Sequence, residues 1–455
     1  MSRGKLNYRR PLYEAGAVYG TRGSLRRRSS TWVWGCGFLA GLSCIGMVLV
    51  AMIAIPITFR LLPADLQSRI SGRLPFMRVF IPTREVAQLP TLDPARATAA
   101  AASFSTPTPG GSRLATATST MLPTATYAPL PATFRVENAR WIAQKWNNCG
   151  PANLAQVLNI MGDSVKQETA AAWLKPDIND ANVSPWQIAA YTNQFTQLRS
   201  LVRYNGEIAL LKQLIYNGFG VLIETGLYDH DDGQWLGHYL TVIGWDDAGG
   251  YLLGLDTLTN SEDARGIHEE YTDLDSRWQH FNRTYVVVYR PDQESRLREI
   301  MGLAWDAKVN IQLALGKALD ETARQQDNPF AWFNVGTNYT MLGEYAQAAA
   351  AFDRARSVGG GWPWRMLWYQ FAPYVAYYKT GAYDVVISLA NTTAIQTRYV
   401  EETNYYRALA YAATGANTQA ISELQSAISF NPNFEPAKQA LNQLRNGQQP
   451  TLEFM

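Results

Sequence analysis

Hydrophobic and polar positions divide the chain into stretches of distinct period. From Thr31 to Thr58 (TWVWGCGFLAGLSCIGMVLVAMIAIPIT) no residue is charged. In helix those residues would reach ~42 Å, beyond the ~30 Å hydrocarbon core of a bilayer. The pattern predicts an uncleaved transmembrane anchor, since a cleavable leader carries an apolar core of only about 7–15 residues. Leu154, Val157, Leu158 and Met161 then recur at the spacing of one helix face. Asn147 or Asn148 suits the start of that helix, Pro151 its first turn and Gly162 its end. Two β-rich runs, Gly237–Trp245 and Tyr251–Asp256, flank an Asp/Gly cluster and read as a hairpin. Beyond residue 293 the period is helical, with a lead-in over 293–328. Tyr339, Tyr377 and Tyr411 recur at spacings of 38 and 34, each followed four residues later by Gly343, Gly381 and Gly415. Such self-similarity predicts tandem helical hairpins over 329–445.

Composition changes this picture at the N-terminal end. Residues 91–133 are rich in Thr, Ala, Ser and Pro and carry almost no charge after Arg96, which predicts an extended, disordered stalk within a juxtamembrane segment 59–133. The 455 residues hold 40 basic and 38 acidic side chains. Eight of the basic ones fall in residues 1–30 against the single Glu14, so the remainder is mildly acidic and offers no nucleic-acid footprint. Arg26, Arg27 and Arg28 abut the apolar span and predict a cytoplasmic tail 1–30, a single pass through the lipid bilayer of the cell membrane, and extracytoplasmic C-terminal domains. Cys36, Cys44 and Cys149 are too few for a disulfide scaffold.

The chemistry concentrates between residues 134 and 292. Cys149 stands at a helix N-terminus, where unpaired N–H groups and the macrodipole favour the thiolate. It is the one thiol outside the anchor. In an antiparallel hairpin turning at Asp247 or Ala248, paired residue numbers sum to 494 or 496, so His238 faces Asp256 or a residue two beyond it. Cysteine, histidine and aspartate together make an acyl-transfer set: thiolate nucleophile, proton carrier and ring orienter. Gln144, just upstream, is placed to stabilise an oxyanion with the Cys149 N–H. Trp146 and Trp235 flank the nucleophile and the histidine as candidate substrate-binding walls. The loop Asp229–Gly233 reads as a solvated turn, and His268 and His280 have no metal-ligand spacing, so neither metal nor cofactor is expected.

These motifs carry a family resemblance. Q-K-W-N-N-C-G-P-A from Gln144, G-H-Y-x-x-V-I-G-W-D-D from Gly237, the strand-ending Asp256, and W-x-x-F-N-R-T-Y-V-V-V-Y over Trp278–Tyr289 resemble the double-glycine leader peptidase-like branch of the papain-like cysteine peptidases, over about 134–292. The resemblance implies an α+β papain-like domain with Cys149 as nucleophile, His238 as base, Asp256 as third member and Gln144 as oxyanion donor, acting on a peptide or protein substrate. Gln144 stands five residues before Cys149 where the family usually has six, and no exporter or phosphate-binding loop accompanies the domain. Residues 329–440 resemble tetratricopeptide repeats, which implies an all-α array that binds a protein partner. The aromatic run over 362–378 is either the core of an irregular second repeat or a partner groove. A thiol peptidase is expected, with a catalytically silent, membrane-tethered peptide-binding scaffold as the alternative.

Overall fold

A computed structural model describes residues 87–105, 129–228, 233–258 and 265–454, with isolated positions between 54 and 77. The predicted anchor 31–58 and the loop 229–232 fall almost wholly outside the described residues, among which no helix is long and apolar enough to cross a membrane. The chain divides into two compact units, residues 1–83 and 84–455, and the second holds the sheet and the helical array.

Its first element corrects the stalk. Pro94–Ser105 is a helix, α1, followed by strand β1, Thr133–Arg135. Composition alone suggested an open chain, but alanine is the best helix former, Pro94 suits a first turn, and Asp93 accepts the Ala95 N–H at 2.9 Å. The helix docks on the C-terminal array: Phe104 lies 4.8 Å from Trp332 between ring centroids, and Arg96 pairs with the buried Asp353 at 3.1 Å.

The central layer is a sheet. In chain order come α2 (Cys149–Ile160), α3 (Gln167–Leu174), α4 (Pro185–Phe195), β2 (Arg199–Arg203), α5 (Ile208–Tyr216), β3 (Gly220–Tyr228), β4 (Trp235–Asp246), β5 (Tyr251–Asp256), β6 (Ile267–Glu270), α6 (Tyr271–Gln279) and β7 (Tyr285–Tyr289). The antiparallel strands run β2-β7-β3-β4-β5-β6, and β1 adds to the far end of β4. Period-2 alternation feeds two cores. Val221, Ile223, Leu240, Val242 and Val287 pack toward α5 and α6, while Leu222, Tyr239, Val286 and Val288 pack toward α2 and α4.

The C-terminal half is helical: α7 (Glu294–Met301), α8 (Ala307–Arg324), α9 (Pro329–Leu342), α10 (Tyr345–Ser357), α11 (Ala372–Lys379), α12 (Tyr383–Gln396), α13 (Glu401–Ala413), α14 (Asn417–Phe430) and α15 (Glu435–Arg445). The three recurring glycines end α9, lie between α11 and α12, and lie between α13 and α14, with φ of 82°, 78° and 81°. That left-handed turn costs an L side chain about 1–2 kcal/mol, and it folds each helix back on its partner. Trp362, Phe371, Tyr374 and Tyr377 are buried in this array, so most of the aromatic run is core.

The two halves are not separately cored. Trp235 and Phe281, from the sheet layer, belong to the same buried cluster as Phe333, Trp362 and Tyr374. Arg283 reaches Glu321 at 2.8 Å, and Asn282 bonds Asn338 at 2.8 Å.

Candidate active site

Helix α2 opens on Cys149 because Gly150 and Pro151 occupy its first turn and Asn148 precedes it as N-cap. The asparagine does not cap through its side chain, as expected from sequence; its amide donates instead to Gln167 Oε1 at 3.2 Å. Gln167, buried on α3, also accepts the Lys145 N–H at 2.9 Å and donates to the Ala143 carbonyl at 2.8 Å. This one side chain therefore holds the approach to Cys149.

The hairpin differs from the sequence reading in an instructive way. Its turn closes on Asp246↔Tyr251, a sum of 497, and the register changes between Val242 and Gly244 to give Leu240↔Asp256, a sum of 496. The extra residue, Ile243, is a bulge. Each one-residue shift moves a strand's side chains to the other face. Without Ile243 out of register, Asp256 and His238 would point to opposite faces of the sheet. With it they are diagonal neighbours on one face, and His238 Nε2 meets Asp256 Oδ1 at 2.8 Å. Asp256 also accepts the Leu258 N–H at 2.7 Å. His238 and Asp256 are both buried.

Strand β5 leaves β4 at Asp256, and α2 takes over the vacated edge. The Tyr239 carbonyl accepts Asn153 Nδ2 at 2.9 Å, while the Tyr239 N–H donates to the Cys149 sulfur. Asn153 and Gln156, three apart on α2, tie the helix to Thr241, Thr257 and the Leu255 carbonyl. The sequence reading passed over this pair. Its signal was two amide side chains inside the otherwise apolar run Gly150–Leu158, a placement that requires buried partners.

The half-buried Cys149 thus meets His238 on one side and backbone donors on the other. Burial pushes its thiol pKa up, but the His238 hydrogen bond and charge, with the Tyr239 and Gly150 N–H groups, outweigh burial and hold it below the ordinary value. Burial would likewise discharge His238, yet the bonds to Asp256 and Cys149 raise its pKa to about 10. Nε2 is taken by Asp256, so the ring turns Nδ1 to the sulfur. Both shifts favour the thiolate–imidazolium form of the pair. Glu224, opposite Tyr239 on β3, is pushed well above the carboxylate range by burial and then by the charge of Cys149.

Gln144 is anchored by its oxygen: Thr257 Oγ1 donates to Oε1 at 2.8 Å, and the Gln144 N–H donates to the Thr257 carbonyl at 3.0 Å. Nε2 is left as a donor. Trp146 stands half-buried three residues before Cys149, its indole nitrogen without an acceptor among the described residues. Trp235 does not line a cleft. It is 2% exposed, stacks on Phe281 at 5.5 Å and donates to His280 Nδ1 at 3.1 Å. Burial drives His280 down to about 4, which keeps that acceptor neutral. The cause of the difference is the helical array, whose Tyr369 closes over Trp235.

A thiolate at a helix N-terminus, an imidazolium and a buried carboxylate in series can carry nucleophilic acyl transfer. No curated protein matches the chain. A protein from Bacillus anthracis, whose solved structure is described as that of a C39-like peptidase, shares 14% identity, covering 35% of this chain and 98% of its own, with a TM-score of 0.29. Residues 136–286 match the Peptidase_C39 like family, a span that holds Cys149, His238 and Asp256.

Proposed function

We propose that the protein is a cysteine peptidase in which Cys149, His238 and Asp256 act as the catalytic triad. The observation that carries the reading is the 2.8 Å bond from His238 to Asp256, with the same imidazole beside Cys149. The thiolate attacks the scissile carbonyl carbon, and the oxyanion that forms is held by the Cys149 N–H and Gln144 Nε2. Each such donor is typically worth about 3 kcal/mol. His238 then delivers its Nδ1 proton to the departing amine, leaving an acyl-enzyme. Water, deprotonated by the now neutral His238, attacks that thioester and restores the thiolate. Trp146, half-buried three residues before Cys149, supports a wall of the substrate cleft.

The rest of the reading follows from the chain around the domain. The uncharged stretch 31–58 supports a membrane anchor with the peptidase outside the cytoplasm, and the repeated helical hairpins of tetratricopeptide pattern support recruitment of a protein or peptide partner. The test uses the full chain with a thiol-directed peptide probe. Cys149→Ala should abolish labelling, and labelling that survives the substitution would refute the assignment.

A further inference from the structure

The helical array reaches the nucleophile's edge of the sheet through one side chain. Tyr369 follows the short turn Trp364–Trp368 and lies well outside the matched residues 136–286. Its ring crosses Gly237, the residue before His238. A β-carbon on Gly237 would stand 3.1 Å from that ring and 2.6 Å from the ring of Phe281. Trp235 and Phe281 hold the ring edge-on at 5.8 and 6.0 Å between centroids, and Gln370 Nε2 donates to the His280 carbonyl at 2.9 Å. The tyrosine is therefore fixed before any substrate arrives.

Strand geometry relates it to Cys149. Backbone groups two residues apart on a strand point the same way, about 6.8 Å apart. Tyr239 aims its N–H and carbonyl at α2, away from β3, so Gly237 aims its own N–H along the same free edge. Tyr369 packs on that edge with its phenol within reach of the Gly237 N–H and close enough to feel the thiolate charge. Sulfur and phenol oxygen thus occupy successive stations on one edge of β4. Burial, with the thiolate beside it, keeps the phenol protonated. A hydroxyl that accepts from Gly237 still has a proton to give, and no acceptor for it occurs among the described residues.

We propose that Tyr369, supplied by the helical array, is a substrate-positioning residue of the peptidase cleft, donating its phenol proton to a backbone carbonyl of a bound extended peptide about two residues from the scissile bond. The array is then one wall of the cleft as well as an attachment. This inference rests on the peptidase reading, and the experiment separates the two. Second-order rates of Cys149 modification are measured on the full chain with iodoacetamide, which has no peptide backbone, and with an N-acylated tripeptidyl vinyl sulfone. Tyr369→Phe keeps the ring over Gly237 and removes only the hydroxyl. The tripeptide rate should fall about fivefold, the worth of one neutral hydrogen bond, with the iodoacetamide rate and its pH dependence unchanged. An unchanged tripeptide rate, or an equal fall with both reagents, overturns the role of the tyrosine while labelling still depends on Cys149. Labelling by the tripeptide reagent that persists in Cys149→Ala overturns both readings.

Discussion

At the scale of residues, the site is a chain of mutual dependence. Asp256 lifts His238, His238 lowers Cys149, and the α2 N-terminus with two N–H donors completes the thiolate's surroundings. The pH behaviour follows by sign. The thiolate is present above its depressed pKa and is lost as pH falls through it. The imidazolium is present below about 10 and is lost as pH rises through that value. Peptide hydrolysis should therefore show an acid limb below the ordinary thiol value of about 8.5 and an alkaline limb near 10. His238→Ala should cost about 10²–10⁴-fold in kcat and move the acid limb of thiol alkylation upward. Asp256→Asn retains an acceptor but removes the charge. Its alkaline limb should drop toward the free imidazole value, with a smaller loss of rate than Asp256→Ala. A steady-state pH profile checks both, and an unmoved alkaline limb in Asp256→Asn would count against the charge's role.

At the scale of elements, a single unpaired residue decides whether His238 and Asp256 can meet. Deleting Ile243 would extend the turn's register through the hairpin and carry Asp256 to the opposite face from His238. All three site residues would remain in the chain, yet probe labelling should fall as far as in Asp256→Ala. Labelling measured well below the variant's melting temperature separates this effect from the loss of Ile243's own packing. The period of β4 and the helix face of α2 were legible in the residues themselves, because alternation and 3.6-residue spacing are local. The bulge was not. It balanced a turn centred slightly later than the Asp/Gly cluster suggested, and only the paired strand reveals such an offset.

At the scale of the molecule, sheet and array share a core. Trp235 and Phe281 share a buried cluster with the helical array and pack against its Tyr369, so residues 129–292 alone would expose two large aromatic faces. Calorimetry of the chain from residue 84 onward should give one cooperative transition. The excised 129–292 segment should aggregate or bind a hydrophobic dye, and an independently folded, probe-reactive segment would contradict the shared core.

A second feature of the same junction is acidic. Asp180 and Glu402 are pushed well above the carboxylate range, chiefly by burial and by Glu401, which burial also raises. Lys175 beside them is lowered by burial, while Gln187, Ser184 and Asn431 supply hydrogen bonds. Carboxyls with raised folded pKa values hold more protons folded than unfolded. Their contribution is complete below about pH 4, where free carboxyls titrate, and is lost as pH rises through the folded values. Lys175 acts oppositely, but only between its lowered value and the alkaline value of a free lysine. Urea midpoints should thus decline from pH 5 to 8, and Glu402→Gln should flatten that slope. A midpoint rising with pH would show the acids ionised in the folded state.

What the amino-acid order determined by itself was whatever depends on near neighbours: the charge-free stretch, the helix carrying Cys149, the two strands bearing His238 and Asp256, and the glycines that reverse the helical hairpins. Tertiary structure alone decided the matters that depend on distant ones. It buried Trp235 under Tyr369, turned part of an alanine-rich stretch into a docked helix, and set two carboxylic acids of α13 against Asp180. The physical reason is common to all three. Local period records which face of an element must leave water, but not which other surface will cover it, and that covering surface sets each group's exposure, charge state and reach.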